Sequence, residues 1–170
     1  IEESFHAAGF PEGVFQNLFL SVSRVEGLIK DGRIATVTLT GSEKAGSEVA
    51  GIAGREIKKA VLELGGSDPF IVFADADIDE AARVAVVARL QGNVGQSCIS
   101  AKRFIVEEKV QAKFTRGVIA ELSKLSLGDP SNKETDIGPL ATEQILKEVE
   151  RQVKKSVSLG AKIMYGGARA

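Results

Sequence analysis

The chain contains a single cysteine, Cys98, at the end of the run Gly95-Gln96-Ser97-Cys98. Upstream, Leu62-Glu63-Leu64-Gly65-Gly66 sets one carboxylate in an apolar and glycine-rich stretch. A thiol and an acid are the two groups needed to form a covalent acyl intermediate and then hydrolyse it. Gly65 and Gly66 let a backbone or a ligand come close to Glu63, so a partly desolvated carboxylate there would suit a general base. Gly95 and Ser97 leave access to the sulfur, and a helix starting at this point would favour the thiolate. Each residue also has a plainer reading: Glu63 as an edge-strand acid facing water, Cys98 as a small buried hydrophobe.

A third motif could hold an anion. Ile34 to Leu39 is rich in β-branched residues and ends at Thr40-Gly41-Ser42-Glu43. A strand that opens there into a helix presents backbone N–H groups, a hydroxyl and the positive end of the helix dipole, which suits phosphate or pyrophosphate. The glycines at 41 and 46 make neither the three-glycine dinucleotide fingerprint nor a Walker loop, so a capped helix after a tight turn is the alternative. His6, the one histidine, lies far in sequence from Cys98 and Glu63, and a solvated helix face is expected for it. One Cys and one His do not supply a zinc site, and Asp75-Ala76-Asp77-Ile78-Asp79 lacks the glycine and distal Glu of a calcium loop. No metal site is expected, and the acidic cluster reads as a helix start.

Composition narrows the partners. With 22 basic and 23 acidic residues among 170, the net charge is −1, so no basic field exists to hold nucleic acid or an anionic membrane. A hydrophobic content of 44% describes a chain able to bury one core or parts of two smaller ones. The longest apolar stretch, Ala81 to Leu90, is broken by Arg83 and Arg89, which argues against a membrane span. A lone cysteine and the lack of a secretory pattern point to a reducing, cytoplasmic setting. The start at Ile1 and the turn-like tail Gly166 to Ala170 suggest a piece of something longer.

The elements that must position these groups alternate along the chain. Helices are expected over Glu2–Ala8, Arg24–Lys30, Thr40–Ala53, the segment after Asp79 to about Gly92-Asn93, Val110–Leu125 and Glu143–Leu159. Strands are expected over Ile34–Leu39, Val61–Leu64, Phe70–Phe73, Arg103–Val106 and Ala161–Tyr165. A capping box is read from Thr40 to Glu43, and Gly54 is read as the stop of that helix. The helix after Asp79 is apolar nearly all round and is expected to be buried. This alternation argues for an α/β architecture with a mostly parallel sheet and a lobe boundary at Gly65-Gly66.

Taken together, Thr40-Gly41-Ser42 with Gly46, then Leu62-Glu63-Leu64-Gly65-Gly66, then Gly95-Gln96-Ser97-Cys98 resemble the aldehyde dehydrogenase superfamily in order and approximate spacing. Ala8 to Phe15, Asp75 to Asp79, Gly128-Asp129-Pro130 and Gly138-Pro139-Leu140 extend the resemblance along the chain. Gly66 to Phe70 and Ala101 to Val106 look most like the succinate-semialdehyde dehydrogenase branch. The resemblance implies an aldehyde-dehydrogenase-like α/β fold, with residues 1–66 as a partial NAD(P)-binding domain and 67–170 as a partial catalytic domain. It implies oxidation of a small-molecule aldehyde to its acid, with NAD or NADP as cofactor and a homo-oligomeric assembly. Cys98 would form a thioester through a thiohemiacetal, its backbone N–H would hold the oxyanion, and Glu63 would activate water. Gly41 and Ser42 would meet the cofactor pyrophosphate, Gly46 would close the packing of the helix, and Leu64 would touch the nicotinamide region through its backbone.

Three departures accompany the resemblance. The family's oxyanion-hole asparagine and cofactor-gripping lysine would lie upstream of this chain. Its Glu-x-Phe-Gly-Pro segment and oligomerisation strand would lie downstream. Thirty-five positions separate Glu63 from Cys98, one more than the family pattern, with the extra residue expected at Gln91-Gly92-Asn93. The alternative reading is a non-catalytic truncated fragment or paralogue acting at most as a binding or association module.

Overall fold

Local signals set most helix ends in the structure, a computed structural model that describes residues 1–90 and 93–169. The chain divides into two units, Ile1–Gly65 and Gly66–Ala170. Unit 1 holds α1 (Glu2–Ala7), α2 (Val22–Lys30), β1 (Thr36–Thr40), α3 (Glu43–Arg55) and β2 (Lys59–Glu63). Unit 2 holds β3 (Asp68–Val72), α4 (Ile78–Leu90), a short turn at Asn93–Gly95, β4 (Ala101–Val106), α5 (Glu108–Leu122) and α6 (Glu143–Ser158).

In unit 1, β1 and β2 pair in parallel from Thr36↔Lys59 to Thr40↔Glu63, and α3 is the crossover between them. A parallel pair requires such a crossover, because a tight turn cannot reverse the chain's direction twice. Ile29, Ile52 and Ala53 form the buried core, with Val25, Val37, Val49 and Ala60 packed against it. Lys58 ties the end of α2 to the start of β2: its Nζ donates to the carbonyls of Ile29 and Asp31, each at 2.6 Å. Ile29 lies in the last turn of α2 and Asp31 is its C-cap, positions whose backbone acceptors lack helical partners.

In unit 2, β3 and β4 also pair in parallel, with α4 as crossover. Asp77 starts α4, its Oδ1 accepting from the N–H groups of Asp79 and Glu80 at 3.1 Å. The acidic cluster is thus a helix cap, as its composition suggested. Val72, Ile78, Ala82, Ala85 and Phe114 are buried together. Gly117 brings α5 close to α4, since a Cβ there would stand 2.8 Å from that of Ala82.

Several expectations are corrected. The N-cap of α3 is Ser42, so its N3 position is Ala45 and the Thr40/Glu43 capping box does not form. Gly54 lies inside α3, and the chain leaves through Ile57 at φ +55. The strand read at Ile34–Leu39 runs Thr36–Thr40 with alternate residues exposed, so it is not fully buried. One face of α4 is buried rather than all of it, since arginines interrupt its surface. Ala161–Tyr165 forms no strand, because no described strand lies beside it to complete a ladder. Among the described residues the strands make two two-stranded parallel sheets, one in each unit. Gln91 and Gly92, where the extra residue and the end of α4 were placed, lie outside the described residues, as does Ala170.

Candidate functional site

The carboxyl ends of β1 and β2 gather the residues singled out in unit 1. Gly41 N–H donates to the Glu63 carbonyl at 2.9 Å, extending the ladder by one bond. The Ser42 hydroxyl accepts from Ala45 N–H at 3.2 Å, and Gly46 N–H bonds the Ser42 carbonyl at 2.9 Å. The N–H of Gly41 is therefore not free for an anion, contrary to the expectation. Among the described residues the N–H groups of Glu43 and Lys44, in the first turn of α3, have no partner. With the Ser42 hydroxyl and the helix dipole they form the donor set that suits a diphosphate. The edge beyond the carboxyl ends of parallel strands is where open α/β sheets bind ligands.

Gly46 is buried beneath Leu64: a Cβ on Gly46 would lie 2.6 Å from Leu64 Cδ2 and 3.0 Å from Cδ1. Leu64 is thereby seated on α3, and the backbone that carries Glu63 is held from both sides. Alternation along β2 places Lys59, Val61 and Glu63 on its exposed side. The Glu63 carboxylate is consequently solvent-exposed within this chain, not partly desolvated as its apolar neighbours suggested.

Cys98 lies in unit 2 on the turn Ser97-Cys98-Ile99-Ser100, closed by Ser100 N–H to the Ser97 carbonyl at 3.3 Å. The thiol is exposed, so the buried-hydrophobe reading fails. No helix begins there; the strand β4 follows instead. The approach is a tight left-handed passage, with Asn93 at φ +55, Val94 at φ +58 and Gly95 at φ +74. A β-branched residue at positive φ is a strained conformation of the kind found at functional sites. A Cβ on Gly95 would meet the Arg89 carbonyl oxygen at 2.5 Å, so only glycine fits.

Three further residues hold this turn, none of them given a role by the sequence pattern. Lys102 Nζ donates to the carbonyls of Ser97 (3.0 Å), Cys98 (2.8 Å) and Ser100 (3.3 Å). Gln96 Oε1 accepts from Ala141 N–H at 2.9 Å while its Nε2 donates to the Asn93 carbonyl at 3.1 Å, anchoring the turn to the segment after Gly138-Pro139-Leu140. Arg103 Nε donates to the Ser67 carbonyl at 2.9 Å. Gly66 lies against the Cys98 carbonyl, 3.6 Å from the position of its missing Cβ. Lys102 owes its direction to a bulge: Asp68 pairs with Ala101 but Pro69 with Arg103, leaving Lys102 as the extra residue. Proline has no N–H for the ladder, and bulges re-aim side chains where pairing slips. Pro69 in β3 was the available signal for this arrangement.

His6 is exposed on α1, and among the described residues no three His, Cys, Asp or Glu side chains cluster to hold a metal. No helix is long and apolar enough to cross a membrane among the described residues.

The aldehyde dehydrogenase family matches this chain over residues 1–170. The chain belongs to the aldehyde dehydrogenase family. Among curated relatives it is similar to succinate-semialdehyde dehydrogenase (NADP+) 1 of Mycobacterium ulcerans, 52% identical over 160 residues, covering 94% of this chain and 35% of the relative. It is likewise similar to succinate-semialdehyde dehydrogenase (NADP+) of Mycobacterium avium, 54% identical over 159 residues, covering 94% of this chain and 34% of that protein. Among solved structures, succinic semialdehyde dehydrogenase from Streptococcus pyogenes, in complex with NADP+ as the cofactor, matches with a TM-score of 0.93 and 40% identity. That match covers 99% of this chain and 37% of the other. The α/β, aldehyde-dehydrogenase-like fold read from the sequence is therefore established. The chain spans about a third of the length of the aldehyde dehydrogenases it matches.

Proposed function

We propose that this chain carries the thiol, the water-activating acid and part of the cofactor seat of an NAD(P)-dependent aldehyde dehydrogenase acting on succinate semialdehyde. The observation that carries the reading is Cys98 itself: the only cysteine of the chain, exposed, and fixed on a turn whose Cys98 N–H has no partner among the described residues. Residues 1–66 belong in this reading to the cofactor-binding domain and 67–170 to the catalytic domain. NADP is favoured as cofactor and succinate semialdehyde as substrate because the mycobacterial and streptococcal relatives bear those names. A homo-oligomer in the cytoplasm is part of the same reading.

Cys98 Sγ, as thiolate, attacks the aldehyde carbon and forms a carbon–sulfur bond, while the carbonyl electron pair moves to oxygen. The Cys98 N–H donates to that oxyanion. A nicotinamide bound there would supply the acceptor for the substrate carbon's hydride, which leaves as the oxyanion's electron pair re-forms the carbonyl. The Cys98 sulfur is then left in a thioester. Glu63 takes a proton from water as the water attacks the thioester carbonyl, and Cys98 departs as the thiolate with release of the acid. Ser42 and the first-turn N–H groups of Glu43 and Lys44 would hold the diphosphate, with Gly46 and Leu64 fixing the strand end beside them.

The test is the absorbance of reduced cofactor with succinate semialdehyde and NADP+. Wild type is expected to turn over, and Cys98→Ala to be silent. Glu63→Gln is expected to release about one equivalent of reduced cofactor in a burst and then stall as an acyl-enzyme visible by mass spectrometry. Turnover by Cys98→Ala would overturn the reading. A second reading, a non-catalytic association module, draws on exposed apolar side chains such as Phe19 and Ile57, each 95% exposed. It predicts no turnover together with concentration-dependent self-association in sedimentation.

A further inference from the structure

We infer that Lys102 is a positioning residue that aims the backbone amide of Cys98 at the substrate oxygen; the inference rests on the thiol chemistry proposed above. The argument is one of peptide geometry. In a trans peptide the C=O of one residue and the N–H of the next point in opposite directions across a rigid plane. No cis peptide is found among the described residues. Lys102 Nζ binds the Ser97 carbonyl at 3.0 Å, which directs the Cys98 N–H away from the ammonium. It binds the Cys98 carbonyl at 2.8 Å, which does the same for the Ile99 N–H. Neither N–H has a partner among the described residues. One cation thus collects the carbonyls of the turn on one side and leaves the Cys98 and Ile99 N–H groups on the other.

Without Lys102 the Ser97 carbonyl would keep only the long bond from Ser100 N–H at 3.3 Å and the Cys98 carbonyl would keep no donor among the described residues, so these peptide planes would be held loosely; a donor stabilises the transition state only if it is already oriented. Lys102 is half-buried and occupies the bulge created opposite Pro69, so its direction is set by β3–β4 pairing and not by the turn it serves. The ammonium offers three donors and all three meet carbonyls, which leaves it no proton for substrate.

Lys102→Met and Lys102→Arg, assayed in the purified protein, separate this role from a merely structural one. Attack on an aldehyde needs the oriented N–H; alkylation of the thiol by iodoacetamide creates no oxyanion and does not. Loss of an oxyanion donor costs about 10²- to 10³-fold, so misorienting one in Lys102→Met is expected to slow single-turnover cofactor reduction about 10- to 100-fold. The iodoacetamide rate and the aldehyde KM should stay within about 3-fold of wild type, and Lys102→Arg should recover most of the loss. Lys102→Leu, which likewise has no donor, takes the place of Lys102→Met if that variant does not accumulate. Unchanged cofactor reduction in the variant without a donor overturns the inference, and so does an alkylation rate that falls in step with it. If Cys98→Ala is silent while Lys102→Met behaves as wild type, only the role of Lys102 fails. If Cys98→Ala stays active, or wild type is inactive, the underlying reading fails as well.

Discussion

Replacing Gly46 by alanine tests how tightly the strand end that carries Glu63 is seated on α3. The added Cβ would stand 2.6 Å and 3.0 Å from the two Leu64 methyl carbons, whereas ordinary contact begins at 3.4 Å. Leu64 must therefore retreat by close to an ångström. Overpacking of this kind costs about 1–3 kcal/mol. Alanine in a helix interior returns about 0.8–1.0 kcal/mol over glycine, which leaves a net loss of up to about 2 kcal/mol. Gly51 on the same helix is the control, because its added Cβ would meet only the Arg55 guanidinium at an ordinary 3.6 Å. Gly51→Ala should then gain up to about 1 kcal/mol. Thermal denaturation followed by circular dichroism reads both, with about 2–4 °C in Tm per kcal/mol for a chain of this size. Gly46→Ala is also expected to raise the KM for NADP+, since Ser42 and the α3 N-terminus move with Leu64. A Gly46→Ala protein as stable as Gly51→Ala would refute the seating of Leu64 on α3.

Three other outcomes follow from the structure. Lys58→Met leaves the Ile29 carbonyl without its donor, and the Asp31 carbonyl with Ile34 N–H alone, and should lose about 1–3 kcal/mol in urea denaturation. Gly95→Ala forces a side chain into φ +74 and against the Arg89 carbonyl, so Tm should fall and the turn carrying Cys98 should shift, read as a changed alkylation rate. Glu148 is hydrogen-bonded by Arg151 and Gln152, which lowers its pKa from 4.5 to about 2. Because the folded value is the lower one, the pair supports α6 fully above the unfolded value and loses that support as pH falls from about 4.5 towards 2. Carboxyl NMR should show that titration, and Arg151→Gln should move it back up.

Much of the candidate site was legible because its signals are local. Gly9 and Gly160 follow helix ends, as read, at φ +80 and +100. The order Gly41-Ser42, Glu63, Cys98 needed only the one-dimensional text. What misled were competing local choices: Thr40 and Ser42 are both good caps, and the continuation of β1 through Thr40 decided for Ser42. Burial of Glu63 was misjudged from its apolar neighbours, because alternation along β2 sends Leu62 and Leu64 to one side and the acid to the other.

The amino-acid order by itself determined the α/β alternation and the family, and it singled out Glu63 and Cys98 as the pair proposed to react, since periodicity, caps and motifs act over a few residues. Only tertiary structure decided that Lys102 gathers three carbonyls around Cys98, that Leu64 fills the space over Gly46, and that Gln96 reaches Ala141. Each of these depends on strand register or on contacts between distant segments. Such contacts form only when loop closure is repaid by packing, a balance struck across a whole folded unit and not within any short stretch of chain.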